Sequence, residues 1–389
     1  FYGGFGTNIK EAKPVVSRAV LLSSAGVLLT AGITGIFIHL VLKLPLLESF
    51  LVASVIGSTD AASVFNILRS KNLNLKENTA SLLEMESGSN DPVSYMLTVI
   101  LTAVLTGQSV NIGSMLFFQV FFGIGCGVLF GKSTAVVLNQ VDFDIAQGKT
   151  ILVFAAAILA YTVPSMIGGN GYLSVYLCGI ILGNSYLPHK RDMVLFFDVL
   201  TDVAQMMIFF LLGLLVTPSE LPQVILPSLV IMIFLTFVGR PVSVAALLAG
   251  FRSSKGQIGL VSWAGLRGVA SIVFAIYVVL RQVHLGYNLF NLVFCIVLLS
   301  ISIQGTLLPW ISAKFQMIDE NADVRRTFND YQEEESISFV KFHLYGQHPY
   351  VGKCLKEITL PPKLLVVLLI RGKEVLVPNG DTCLKAGDL

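Results

Sequence analysis

Asp60, Glu84, Glu86, Asp91, Arg240 and Arg267 are ionisable residues set inside long apolar stretches of a 389-residue chain. A charge at the centre of a bilayer costs about 2.5–3.5 kcal/mol on insertion scales, so such residues pair with one another or line a substrate path. Thr59-Asp60 falls in the middle of Ile56-Gly57-Ser58-Thr59-Asp60-Ala61-Ala62, a run of small and polar residues that predicts a helix that unwinds and restarts. One reading makes Thr59 or Asp60 the N-cap of the second half-helix. A cap at membrane depth still implies a broken helix, and broken helices set their ends and free carbonyls beside ions.

The next apolar stretch contains Glu84-Met85-Glu86-Ser87-Gly88-Ser89-Asn90-Asp91-Pro92. On a helix Ser87 and Asp91 share one face, and Glu86 and Asn90 share the neighbouring one. Asp91 before Pro92 also fits a plain N-cap with proline at the first helical position. Apolar flanks on both sides bury the segment, however. Asp60 and Asp91, from adjacent stretches, together with hydroxyl and carbonyl oxygens make a hard-cation site suited to sodium or potassium, and no His or Cys cluster offers a transition metal anything. Burial favours the protonated form of a carboxyl group and a bound cation favours the ionised form. One carboxylate can then hold a proton or a metal ion but not both, which is the chemistry of exchange. It needs no cofactor and no covalent catalysis, so the chain is not expected to be an enzyme.

Arg267 lies in Trp263-Ala264-Gly265-Leu266-Arg267-Gly268, a second expected break. A buried guanidinium needs a carboxylate, and Glu86 is the candidate. Such a pair can be purely structural, since removing one member strands the other charge at about 3–5 kcal/mol. Glu84 reads as a rim charge, and Asp198 and Asp202 as markers of the membrane interface. His39 and His284 read as ordinary interfacial residues. Arg240 fits a helix end and a lipid headgroup equally well.

The elements that must position these residues are membrane spans. Apolar residues make up 54% of the chain and charged residues 13%, with a mean hydropathy of +0.77, against about 25% charged in soluble domains. That deficit excludes a water-soluble enzyme, a disordered chain and a nucleic-acid-binding protein, and a net charge of +2 points to no acidic or basic partner. Five scattered cysteines without a CxxC pair indicate neither a zinc site nor a disulfide framework. The first 318 residues hold 30 charged side chains and the last 71 hold 20. The expected organisation is therefore a transmembrane domain over 1–318, a linker over 319–335 and a hydrophilic tail domain over 336–389. Phe1 and Leu389 read as cut ends.

Stretches of about 20 apolar residues cross a bilayer as helices. Ten are expected, at 15–42, 46–69, 81–106, 112–138, 149–167, 171–187, 194–216, 221–250, 256–281 and 287–312. With that count, thirteen Lys/Arg fall on the side where the first span begins, and only Lys43 and Arg281 on the other. The positive-inside rule makes the first side, and with it the tail, cytoplasmic. The interrupted spans 46–69 and 256–281 run in opposite directions and lie second in the first and last trios. That is the inverted-repeat layout in which broken helices cross at the midplane and form a transport site.

Ser58-Thr59-Asp60, the segment Glu84 to Asp91, Gly265-Leu266-Arg267-Gly268, and Gly169-Asn170-Gly171-Tyr172-Leu173 leading to Gly179 and Gly183-Asn184 resemble the monovalent cation:proton antiporters of the NhaP type, closest to bacterial CvrA-like potassium/proton antiporters. The resemblance covers nearly the whole chain. It implies an all-α polytopic membrane protein with an inverted-repeat antiporter fold of thirteen spans, about three of them missing N-terminally here. It further implies a homodimer in the bacterial inner membrane, with a core that moves like an elevator. Carried over by motif, Asp91 resembles the exchanging carboxylate, with Asp60, Ser87 and the Thr59 backbone oxygen as co-ligands of the monovalent cation. Asn90 resembles the partner that bonds Thr59, and Glu86 the salt-bridge partner of Arg267. An Asn before the Asp resembles electroneutral exchangers.

The tail resembles a TrkA C-terminal type regulatory domain, a small α+β unit ending before its last strand. Strands are expected at Ser336 to Phe342 and Leu364 to Ile370, with a turn at Arg371-Gly372-Lys373-Glu374 into Val375-Leu376-Val377. Such domains bind a small regulatory ligand or pair with themselves. The rival readings are a cation channel gated by the tail, which would lack competition between proton and cation, and an intramembrane enzyme. The second is disfavoured because neither Gly-x-Ser-x-Gly with a paired His nor HExxH occurs.

Overall fold

The computed structural model describes residues 1–389 apart from 8, 72, 109–110, 142–145, 188–189, 252, 284, 320–341, 347, 359, 361–364 and 373. The expected 319–335 linker, the Ser336 to Phe342 strand and His284 therefore lie wholly or mostly outside the described residues. Contacts divide the chain into two units, Phe1–Gln332 and Glu333–Leu389.

The first unit is helical. Besides a four-residue turn of helix at Ile9–Ala12, its elements are α1 (Tyr2–Gly6), α2 (Val16–Leu42), α3 (Leu46–Val55), α4 (Ala61–Ser70), α5 (Thr79–Leu105), α6 (Ile112–Gln140), α7 (Ala146–Met166), α8 (Gly171–Gly183), α9 (Lys190–Leu215), α10 (Pro218–Phe251), α11 (Lys255–Trp263), α12 (Val269–Leu280) and α13 (Leu289–Lys314). Six of them, α2, α6, α7, α9, α10 and α13, are long and apolar enough to cross a membrane among the described residues. The Asx side chains of Asn111, Asn170 and Asn288 cap α6, α8 and α13 by accepting from the backbone N–H three residues on, which satisfies one orphan donor at each start.

Two helices stop and restart where the sequence runs small and polar. One leaves off at Val55 and resumes at Ala61, and the other leaves off at Trp263 and resumes at Val269. The apolar halves sort themselves. Residues of α3 and α12 share one hydrophobic cluster, including Leu51, Val55, Ile56, Ile272 and Phe274. Residues of α4 and α11 share another, including Val64, Leu68, Leu260 and Val261. The polar breaks thus fall where the two apolar clusters meet. A third cluster joins α1, α6, α7, α8 and α9 around Phe5, Leu182 and Phe197. There α6 presents Gly123, Gly127 and Gly131 to Leu173, Ser174 and Ile181 of α8, a small-residue stripe that lets two helix backbones approach closely.

Three long helices each carry one turn of wider π geometry: Leu22–Gly26 in α2, Leu235–Gly239 in α10 and Ser300–Gly305 in α13. Such bulges re-aim the side chains beside them. The second ends immediately before Arg240, and the third contains Ser300 and Gln304.

The described part of the second unit holds a β-hairpin, β1 (Leu369–Arg371) paired antiparallel with β2 (Glu374–Leu376), and a single 3-10 turn at Leu355–Glu357. The strand expected from Leu364 is shorter than the apolar run implies, because residues 365–368 do not pair and Leu365 and Val367 are exposed. Cys354 and Cys383 form a disulfide, which corrects the expectation that no cysteines pair. The two residues lie opposite each other across an antiparallel bridge, a proximity invisible in a separation of 29 residues. Asp388 is 1% exposed and accepts from Nε and Nη2 of Arg371 at 2.8 and 2.7 Å. This fork holds its carboxyl below the usual carboxylate range.

Candidate functional site

Buried peptide groups must find partners, and a helix break inside an apolar protein releases several at once. Here several of them are met by the other break or by α5 and α13. The Asp60 N–H donates to the Leu266 carbonyl at 2.8 Å. Arg267 Nη1 donates to the Gly57 and Ser58 carbonyls, each at 2.8 Å. The Arg267 N–H donates to Ser300 Oγ at 3.0 Å, and Ser300 in turn donates to Gln304 Oε1 at 2.6 Å. The Trp263 indole N–H closes the set on the Gln304 carbonyl at 3.1 Å. The two breaks are therefore stitched directly to each other. Gly268 permits the close approach: a Cβ there would run into the Asp60 carboxylate.

Helix α5 supplies the side chains that face the first break. Ser87 Oγ donates to the Thr59 carbonyl at 2.6 Å, Asn90 Nδ2 to Thr59 Oγ1 at 2.5 Å, and Ser94 Oγ to the Ser54 carbonyl at 2.5 Å. Ser58 Oγ donates to Asp91 Oδ1. These are the i, i+3, i+4 and i+7 positions of one helix stripe, so one face of α5 reads the whole break. Ser58, Thr59, Ser87 and Asn90 are buried, while Asp91 and Asp60 are only half-buried.

Asp60 does what the plainer reading allowed: Oδ1 accepts from the Ser63 N–H at 3.2 Å and Oδ2 from Ser63 Oγ at 2.6 Å, which makes it the N-cap of α4. A carboxylate oxygen has lone pairs to spare, so capping leaves it able to face a cation too. Asp91, Asp60, Thr59, Ser87 and Asn90 are thus brought together around one break.

Glu86 and Arg267 are not an ion pair. Glu86 binds Arg240, with Nη2 at 3.0 Å from Oε1 and 3.1 Å from Oε2, and Arg240 Nε also donates to the Val261 carbonyl at 3.2 Å. The reason is geometric. The π turn of α10 brings Arg240 against Gly265, whose missing side chain leaves room for the guanidinium, and Arg267 is drawn instead to the carbonyls of the first break. Arg267 is 1% exposed, with Nε and Nη2 lacking a hydrogen-bond partner among the described residues. Glu84 is half-buried, Asp202 is exposed, and Asp198 accepts from the Tyr2 hydroxyl at 3.0 Å. His39 Nδ1 bonds the Leu44 carbonyl at 2.6 Å.

Several site residues carried no role in the sequence reading. Ser58 is the direct partner of Asp91, and Ser300 and Gln304 finish the second break. Asn170 caps α8 and donates its Nδ2 to the Pro92 carbonyl at 2.9 Å, which fixes the turn of α5 bearing Asp91. The signal for these was the polar Ser300-Ile301-Ser302-Ile303-Gln304 inside an apolar run, and Asn170 between two glycines.

A family model described as the sodium/hydrogen exchanger, transmembrane, matches residues 1–314. The chain belongs to this family. A TrkA-C domain model matches residues 347–389. The chain is 32% identical over 400 residues to the K(+)/H(+) antiporter NhaP2 of Shewanella sp. (strain ANA-3), covering all of this chain and 68% of that protein. It is 32% identical over 395 residues, with the same coverage, to the K(+)/H(+) antiporter NhaP of Alkalimonas amylolytica. Among solved structures, the sodium proton antiporter MjNhaP1 from Methanocaldococcus jannaschii at pH 8 superposes with a TM-score of 0.72 at 23% identity, covering 80% of this chain and 82% of that one. That likeness is one of fold. The exchanger-family chain described here shares with it a helical membrane architecture.

Proposed function

We propose that this chain is a multi-pass membrane transporter that exchanges K⁺ or Na⁺ for H⁺ by alternating access, with Asp91 holding either the proton or the cation. The observation that carries the reading is the Asp91 carboxylate bonded to Ser58 at a helix break whose Gly57, Ser58 and Thr59 carbonyls are held by Arg267 and Ser87. Asp60, the Ser87 hydroxyl and the Thr59 carbonyl are the co-ligands, all hard oxygens of the kind alkali ions prefer. Asn90 holds Thr59 in place. Glu86 with Arg240, and Arg267 on the Gly57 and Ser58 carbonyls, keep the breaks rigid. A fixed scaffold around one exchangeable charge is what coupling requires, because the site then changes occupant without changing shape.

The finer architecture belongs to the same reading: ten spans, with α3–α4 and α11–α12 as oppositely directed broken helices of an inverted repeat. The chain forms a homodimer in the bacterial inner membrane. The exchanger domain covers 1–318, and the cytoplasmic TrkA-C unit over 336–389 regulates it by binding a small ligand or by pairing with itself. Exchange is electroneutral, one cation for one proton.

The test is dye-reported exchange in proteoliposomes with potassium, sodium and lithium, for the intact chain and Asp91→Asn. An imposed cation gradient drives protons the opposite way in the intact chain, and Asp91→Asn abolishes this for every ion while the protein still folds. Retained exchange in the variant refutes the assignment, and steady conductance without coupling favours a channel.

A further inference from the structure

A cavity of 440 Å³ opens where α5 and α12 end, lined among others by Tyr95, Thr102, Gln119, Tyr277 and Arg281. It lies within the size range of small-molecule sites. Arg281 is the one charged residue in its lining, so the cavity is electropositive. The guanidinium is exposed, stands 5.3 Å over the Tyr277 ring and has no carboxylate partner among the described residues. Stacking on a ring holds a guanidinium flat with its donor edge outward.

Gln119 gives the second observation. It is 3% exposed, and neither Nε2 nor Oε1 has a hydrogen-bond partner among the described residues. A buried amide left this way is costly, and such a group in a native protein calls for a missing ligand, ion or water. Three neighbouring hydroxyls give their protons to backbone carbonyls and leave the Gln119 side-chain carbonyl oxygen unserved. Thr102 donates to the Thr98 carbonyl at 2.6 Å, Thr106 to the Thr102 carbonyl at 3.0 Å and Ser165 to the Tyr161 carbonyl at 2.6 Å. The charged fork of Arg281 and the amide of Gln119 are thus donors still to be used in a cavity without a carboxylate. The one charge in the lining is positive, which disfavours a cation and separates this place from the Asp91 site.

We propose that this cavity binds a phosphate group, with Arg281 taking two of its oxygens and the Gln119 amide a third. The group can come from an anionic phospholipid or from free phosphate. The test is thermal unfolding of the full chain in detergent, with added inorganic phosphate in one arm and with phosphatidylglycerol against phosphatidylcholine in the other. The midpoint rises by about 2–4 °C at saturation in at least one arm. Arg281→Gln and Gln119→Leu each remove the rise, whereas Lys43→Gln keeps it. A rise in the phosphate arm alone assigns a free anion, in the phosphatidylglycerol arm alone a headgroup, and in both the phosphate group itself. No rise in either arm, or a rise that survives Arg281→Gln, overturns the proposal, and because Arg281 is exposed that variant is free of the folding burden that Gln119→Leu carries.

Discussion

The two helix breaks are alike in length and placement and opposite in chemistry. The first, between α3 and α4, offers Ser58, Thr59 and Asp60, all oxygen donors, and takes its positive charge from elsewhere. The second, between α11 and α12, offers Arg267 and no carboxylate. Arg267 spends Nη1 on the carbonyls of the first break, so the second break acts as a clamp on the first. A broken helix is therefore not in itself an ion site. What it becomes depends on whether its side chains add oxygens or a guanidinium.

The comparison breaks first at the ion pair. Arg240→Ala leaves Glu86 buried without its partner and lowers stability in detergent by about 3–5 kcal/mol. Adding Glu86→Ala to it costs little more, while Glu86→Ala and Arg267→Ala add independently. A thermal double-mutant cycle reads this, and coupling to Arg267 in place of Arg240 would reverse the partner assignment.

Arg267→Ala removes the clamp. Charged hydrogen bonds are worth about 1.5–3 kcal/mol each, so loss of the pair to Gly57 and Ser58 is expected to loosen the first break and reduce exchange through the cation KM more than through folding. Arg267→Lys restores only part, since an ammonium lacks the planar fork. A variant with unchanged transport would show that the second break does not support the first.

Gly268→Ala probes the contact between the breaks. Its added methyl meets the Asp60 carboxylate, and overpacking of this kind costs about 1–3 kcal/mol. Exchange is lost before the fold is, and wild-type rates would mean the breaks can separate freely. The smallest effect belongs to Asn90→Ala, which removes the bond to Thr59 Oγ1 at about 1 kcal/mol and raises the cation KM while leaving the maximal rate nearly intact.

Much of this contrast was legible in the sequence. Small and polar runs inside apolar stretches announced both breaks, and i,i+4 spacing put Ser87 and Asp91 on one face of α5. The choice of partner was not legible. The sequence pairs Glu86 with Arg267 and leaves Arg240 to a helix end or a headgroup, and nothing in the spacing of distant segments says that a π turn will carry Arg240 to Glu86 while Arg267 turns to carbonyls. Hydrogen-bond partners supplied from far along the chain, such as Ser300 and Asn170, are set by packing angles that periodicity does not encode. Cys354 and Cys383 likewise meet only because a bridge folds them together.

The most direct test of Asp91 as a shared seat for proton and cation is the apparent KM for potassium and for sodium, measured in proteoliposomes across a pH series. Competition at one carboxylate predicts that KM climbs toward about tenfold per pH unit on the acid side, with the maximal rate reached at saturating cation unchanged. A KM that stays flat while the maximal rate falls would contradict it.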